Sequence, residues 1–426
     1  MMKRHAVWGN VFFALSLSFA ACKGSEPDAS SDAIVSATAN ILDFTFTGEM
    51  IIAKDEDPQI GIRKQLTYLQ GVIARKFSSG AQIARLNVKV SSVTAVDANS
   101  SLVKYTTVLP VAWAKTNSIP STYEFVVPRN VYQLANFEAA YDGKCGTRHY
   151  SPGSFWYDFD PKAATCVLKD SDVVRVNASV KTSTLKTSGK YPEYDKIWSD
   201  GALNAVAVFA HLGSSLNGQD MSLTESDDFI ANISGALTNP VISRGTPSAT
   251  IVRSQTLKGT HLVGGVQRPV TITVLNTPDL TETAADFDNV YNQLSANADI
   301  LLYNGHAGLG RNIAAFGRKG TVRPGQYQLM LADGCQSFSM IDPLYFKRRT
   351  EANGAAADPN GTKFLDVVTN AVNGYANSIE EMSTPLIVAA LNADTPRTYD
   401  EILTYMPAIH IPTVLGEEDN AYTRRR

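Results

Sequence analysis

The hydrophobic positions of this chain change their spacing about half-way along. Between residues 42 and 190 the apolar side chains fall in short β-branched and aromatic runs bounded by Asn, Ser, Pro and Gly. They are "LNVKVSSVTAV" from Leu86, "LVKYTTVLPVAWA" from Leu102 and "YEFVVP" from Tyr123. Such runs predict strands, and a β-rich domain is expected over 42–195. "QLTYLQGVIARKF" from Gln65 fits helix and strand equally well.

From Ala202 strand-like and helix-like stretches alternate. "ALNAVAVFAHLG" and "RPVTITVL" are apolar runs of the kind that a parallel sheet buries on both faces. "DLTETAADFDNVYNQLSA" sets Phe287, Val290, Tyr291 and Leu294 at helical spacing, and Asp279 with Glu282 predicts a capping box at its start. It runs into "DILLYN", so strand, helix and strand form a unit that demands a parallel sheet. "RNIAAFGRKG" predicts a short helical crossover. "FLDVVTNAVNGY" puts Phe364, Val367, Val368, Ala371, Val372 and Tyr375 on one helical stripe, and a last helix is expected from Thr398, capped through Glu401. Residues 196–426 are therefore expected to form an α/β domain, a mainly parallel sheet flanked by helices. No internal repeat is visible.

The first residues read differently. Lys3 and Arg4 precede the apolar "AVWGNVFFALSLSFAA", too short and too early for a transmembrane helix, and the segment closes on "SFAAC". This resembles a bacterial lipobox: residues 1–21 would be the leader and Cys22 the lipidated new terminus. Phe19 stands where an aliphatic residue is usual, and cleavage near Ala20 or Ala21 without lipid is the alternative. Residues 22–41, with "KGSEPDASSDA", would be a polar tether. Lipidation implies the cell envelope of a Gram-negative bacterium, as an outer-membrane lipoprotein facing the periplasm or the exterior. The N-terminal lipid would be the only membrane contact.

Export changes the meaning of the cysteines. Cys145 and Cys166 flank a loop-rich stretch and outside the cytosol are expected to form a disulfide. Closing a loop of about 20 residues would contribute roughly 3 kcal/mol through the unfolded state. Cys335 is then the one unpaired cysteine of the folded part. Composition adds little: hydrophobic residues are 44%, charged residues 19%, and the net charge is −3. That describes a globular protein with no basic stripe to suggest a nucleic-acid partner.

Two apolar runs end in the same way. "ILLYNGHAG" carries His306 just past its strand, and "YQLMLADGCQ" carries Cys335 just past the next. Sites in open parallel sheets form beyond the carboxyl ends of strands. A thiol, an imidazole and backbone N–H groups there are what cysteine-based acyl transfer requires. Gly305, Gly308 and Gly334 would let a substrate approach the backbone closely.

This layout resembles the caspase–gingipain–clostripain group of cysteine peptidases, in which one strand ends in His-Gly and the following strand ends in a small residue and the nucleophilic Cys. "YNGHAG" is similar to the first element and "LADGC" to the second. The resemblance implies a caspase-like α/β domain, with Cys335 as nucleophile and His306 as general acid and base. It also implies an oxyanion site from the backbone around Ala307, Gly308, Gly334 and Cys335, no third catalytic residue, no cofactor, and a peptide or protein substrate. Ala307 stands where that group has Gly. It would keep the N–H while restricting the backbone and crowding the site. The expected function is an exported cysteine endopeptidase; the alternative is an inactive caspase-like lipoprotein that binds a peptide or protein partner.

Other chemistries fit less well. There is no C-x-x-C or H-x-x-x-H spacing for zinc, so no metal is expected. "GHAGLG" departs from the dinucleotide fingerprint and no strand-end acid follows it. His149, His211, His261 and His410 read as packed or surface histidines, "GEEDN" from Gly416 as a solvated loop, and Asp333 as a neighbour of the site without a catalytic role.

Overall fold

A nine-stranded sheet runs through the second half of the chain, and its order decides where chemistry can occur. The computed structural model describes residues 34–424, except 75–78, 84–85, 147–152, 214–219, 342 and 420. Cys22 and the leader therefore lie outside the described residues, as does His149.

Five central strands of this sheet are parallel: β8 (Leu203–Ala210), β11 (Val266–Thr277), β12 (Ile300–Asn304), β13 (Gln328–Asp333) and β14 (Leu365–Asn370). On one side β10 (Arg253–Val263) and β9 (Thr238–Arg244) add antiparallel; on the other, β15 (Pro412–Leu415) and β1 (Ile34–Val35) do the same. The order is β1-β15-β14-β13-β12-β8-β11-β10-β9. The sheet is thus mixed, not mainly parallel as expected. The hairpin between β10 and β11 explains one flank: Gly264 and Gly265 both have positive φ, 61° and 74°, which suits a tight two-residue turn.

From β8 the chain passes to β11 on one side and then to β12 on the other, so the direction of winding reverses between β8 and β12. A crevice opens at such a reversal, beyond the carboxyl ends of the strands. Helices cover both faces. Met221–Ser234 and Ile379–Leu391 pack on one, around Phe209, Phe229 and Leu386; Ala285–Ser295 and Arg311–Arg318 pack on the other, around Phe287, Tyr303 and Phe316.

Two expectations are corrected. "FLDVVTNAVNGY" is not a helix: Leu365–Asn370 is the strand β14, wholly buried between β13 and β15. A short run buried on both faces carries no alternation, so its apolar stripe cannot separate helix from strand, and Val-Val-Thr favours the latter. The capping box at Asp279 is also absent. Glu282 N–H bonds to Asp279 O in a turn, and the helix begins at Ala285. The Thr398–Glu401 capping box is present as expected. Of the ambiguous segment at Gln65, residues 65–74 belong to a helix, Pro58–Ala74, and the rest lies outside the described residues.

A second sheet has six antiparallel strands. These are β2 (Ala39–Ala53), β3 (Ser79–Ala81), β4 (Asn87–Ala95), β5 (Ser100–Ala114), β6 (Thr122–Pro128) and β7 (Val173–Thr182). Its order is β3-β5-β2-β7-β6, with β4 also on β5. The helix Pro58–Ala74 lies over it, burying Leu66, Tyr68 and Leu69 against Phe44, Phe125 and Phe159. The Cys145–Cys166 disulfide is formed. The two sheets meet closely: a Cβ on Gly80 would lie 2.1 Å from Ala371 O, so only glycine fits there. Strand pairing starts at Ile34, inside the stretch read as tether, and Ile34 and Val35 are buried. No helix among the described residues is long and apolar enough to cross a membrane.

Candidate active site

β12 and β13 are hydrogen-bonded neighbours in register, Asn304 opposite Asp333, so the loops that follow them emerge side by side. Gly305 N–H donates to Asp333 O at 3.1 Å. A Cβ on Gly334 would meet Gly305 O at 3.0 Å and Ala307 N at 3.1 Å. A side chain at 334 would have to push the His306 loop by a few tenths of an ångström, because that loop rests directly on the glycine. The two sequence motifs therefore lie side by side.

The two turns share a second feature. Leu309, just beyond Gly308, has φ 54°, and Gln336, just after Cys335, has φ 55°. Non-glycine residues in the left-handed region carry strain that the surroundings must support, and such residues cluster at functional turns. Here Cys335 stands between a strand end and the short helix Ser337–Met340. Gln336 is held by its N–H to Val372 O and by its amide to Asn373 Oδ1.

His306 is exposed and its backbone is fixed. Its carbonyl accepts from Tyr303 Oη at 2.7 Å and from Asn312 Nδ2 at 3.0 Å. The ring Nε2 lies 3.2 Å from Leu212 O, in the loop after β8. A carbonyl can only accept, so Nε2 carries the hydrogen and Nδ1 is the nitrogen left to act as base. Asp220 supports this arrangement by accepting from the N–H groups of Leu212, Gly213 and Ser222. His211 stands edge-on to His306, ring centres 6.3 Å apart, and its Nε2 is 3.9 Å from Asp279 Oδ1. Sequence reasoning set His211 aside and missed Asp220. The His-Leu that ends the β8 run was the available signal, because β8 borders the reversal in winding.

Cys335 is partly buried. Burial pushes its thiol up from its ordinary value, and the neighbouring Asp333 pushes the same way. Hydrogen bonds from Gly374 N–H and the Tyr157 hydroxyl act in the opposite direction. Tyr157 arrives from the disulfide-closed segment, and its single hydroxyl hydrogen is shared between the sulfur and Asn373 Oδ1, 2.9 Å from the oxygen. No hydrogen bond joins His306 to Cys335 among the described residues. The imidazole faces the β8 loop, and the thiol is covered from the other side.

Asp333 is fully buried, neither of its oxygens has a hydrogen-bond partner among the described residues, and its carboxyl is pushed up to about 8 by burial and by Glu225. It is largely protonated at neutral pH. Of the proposed oxyanion donors, Gly334 N–H is already given to Asn370 Oδ1 at 3.1 Å. Ala307 has an ordinary helical backbone, φ −66° and ψ −23°, and its methyl is buried in the hydrophobic core. Alanine there neither strains the loop nor crowds the site, contrary to expectation. Among the described residues no cluster of three or more His, Cys, Asp or Glu could hold a metal ion.

No protein-family model matches this sequence, and no curated protein matches it.

Proposed function

We propose that the protein is a cysteine endopeptidase with a caspase-like α/β domain, Cys335 the nucleophile and His306 the general base and acid. The observation that carries this reading is the contact of Gly334 with Gly305 and Ala307, which sets the two strand-end motifs side by side. In the reaction His306 Nδ1 takes the thiol proton as the sulfur forms a bond to the peptide carbonyl carbon. The C–N bond then breaks as the same proton passes to the leaving amine. Water, deprotonated by the imidazole, cleaves the thioester and returns the free thiol and a carboxylate. The Gly334 N–H is occupied, so the oxyanion donor would come from the remaining N–H groups of Ala307, Gly308 and Cys335.

A second reading has its own support. The raised thiol and the His306 ring turned to Leu212 O suit a resting or inactive site that binds a peptide without cleaving it. Turnover of a mixed peptide library by the full chain separates the two. Cys335→Ala should reduce it to background and His306→Ala by nearly as much, because members of a catalytic unit are far from additive. A wild-type protein that turns over nothing, with a thiol alkylated by iodoacetamide no faster than free cysteine, leaves the binding reading.

The envelope placement belongs to the same proposal, and the disulfide is what supports export. Cys22→Ser should release the protein from membranes and abolish fatty-acid labelling; an unlabelled wild type would remove the lipid anchor.

A further inference from the structure

Arg349 is a buried cation that lacks a counter-ion among the described residues. It belongs to the helix Leu344–Asn353, reaches the start of β13 and is 3% exposed. Its Nη2 donates to Gln328 Oε1, and the Gln328 amide is spent on the carbonyls of Ser295 and Ala298. Nη1 is buried with no hydrogen-bond partner, and no carboxylate pairs with the guanidinium, among the described residues. Burial pushes its pKa down to about 10 and Arg348 pushes the same way, while Tyr291 and Asp358 act against them. The group is therefore charged at neutral pH. Asp358 has both oxygens engaged elsewhere, by Asn353 Nδ2 at 2.8 Å and Lys363 N–H at 3.2 Å. Arg348 is satisfied, since its Nη atoms donate to the carbonyls of Gly317, Lys319 and Gly320.

A second donor is stranded close by. The Tyr291 hydroxyl is buried without a partner among the described residues, and burial keeps it protonated. A Cβ on Gly320 would lie 3.0 Å from Tyr291 Cε1, and Gly320 lines one small cavity with Arg348 and Arg349. The tyrosine ring therefore borders the cavity. Leu301, Phe316 and Met330 give it apolar walls, and Lys319 at its edge is paired with Asp288 at 2.6 Å. The space is about 10 Å³, room for one particle of roughly water size.

We infer that this cavity binds a chloride ion, held by Arg349 Nη1 and the Tyr291 hydroxyl. Both unspent groups can donate, so the ligand must accept from each of them. A water molecule could do that, but only an anion also offsets the buried guanidinium, and removal of its charge from water is costly without one. The apolar walls strengthen the attraction, because little solvent lies between the charges to screen it. Size settles which anion. A carboxylate, sulfate or phosphate needs more room than a single small particle, and a metal cation would be repelled by Arg348 and Arg349. Gln328 begins the strand that ends before Cys335, so the ion would lie at the far end of β13 from the thiol turn. Nothing in this site depends on the peptidase reading.

The test follows thermal unfolding of the full chain in sodium gluconate, with sodium chloride exchanged in at constant ionic strength. About 150 mM chloride should raise the melting temperature by roughly 3 °C, and the rise should saturate. Sodium bromide should act in the same way. Tyr291→Phe removes one donor and no packing, and should weaken the apparent chloride affinity several-fold. Arg349→Met should abolish the chloride response, whatever it does to the melting temperature in gluconate. Lys258→Gln, which removes an exposed cation of β10, should leave the response intact. A crystal soaked in bromide should show an anomalous peak within hydrogen-bond distance of Arg349 Nη1, which keeps the test open if Arg349→Met fails to fold. Equal melting temperatures in chloride and gluconate would overturn the inference. So would a response that survives Arg349→Met or is unchanged in Tyr291→Phe, or a cavity that holds water alone in the bromide-soaked crystal.

Discussion

The loop after β12 and the turn after β13 are built alike and placed differently. Each leaves a wholly buried strand, passes through glycine to one reactive side chain, and has a left-handed non-glycine residue close behind. Yet His306 is exposed and its ring leans on the β8 loop, whereas Cys335 lies under a cover from the other half of the chain. Gln82 Nε2 donates to Phe338 O at 2.7 Å, Gln70 Nε2 to Ser339 O at 3.4 Å, and Tyr157 to Asn373, all beside the thiol turn. The exposed imidazole can therefore move without disturbing the fold, while thiol access depends on how the two sheets are held together.

The harshest way to break that difference is at the seam. Gly80→Ala puts a Cβ against Ala371 O, with no flexible side chain to yield, and should cost about 3 kcal/mol, the upper end for overpacking. Cys335 alkylation should accelerate as the cover loosens; unchanged stability would show that the seam is soft. Removing the disulfide comes next. Cys145→Ser with Cys166→Ser should lower stability by about 3 kcal/mol, read from denaturant unfolding.

A proton balance sharpens the comparison further. An unfolded aspartate loses its proton near pH 4, but Asp333 in the folded protein holds one up to about 8. In that window the native state binds the extra proton, so this group lowers stability as pH rises, by at most about 1.4 kcal/mol per pH unit. Asp333→Asn should flatten the fall in melting temperature between pH 7 and 8, leaving the part due to Asp299, also pushed up to about 8. An unaltered slope would mean that Asp333 is not buried as described.

The mildest changes probe each turn alone. Tyr157→Phe removes a hydrogen bond that favours the thiolate and should slow Cys335 alkylation several-fold near neutral pH, in keeping with roughly 1 kcal/mol for such a bond. Ala307→Gly should cost about 0.5–1 kcal/mol of stability and give no gain in turnover, because the alanine already fits its backbone. A marked gain would show instead that the methyl obstructs the site.

The adjacency of the two strand-end motifs was legible because strand, glycine and chemistry-bearing residue coincide twice in the sequence, and the pairing of β12 with β13 follows from their short crossover. β14 was misread because a strand buried on both faces has no period to find. His211, Asp220 and Tyr157 were out of reach for another reason. They come from segments distant in sequence, and only the β8 reversal and the close approach at Gly80 bring them near the two turns. The environment of Ala307 was equally hidden, since a motif names a residue without saying which way its methyl points.

The pairing of Ile34 with Leu415 also bears on when the molecule becomes complete. The Ser36 hydroxyl reaches Pro412 O across 376 positions, so the beginning and end of the described chain close one sheet edge. Closure over such a span costs chain entropy that grows with the logarithm of its length, and contacts this remote form slowly. During synthesis β14 must wait, with one flank open, until residues 412–415 have emerged. The strand edge next to the thiol turn is thus sealed only after β15 arrives, so closure around that turn is timed by a strand more than 40 residues further along the chain.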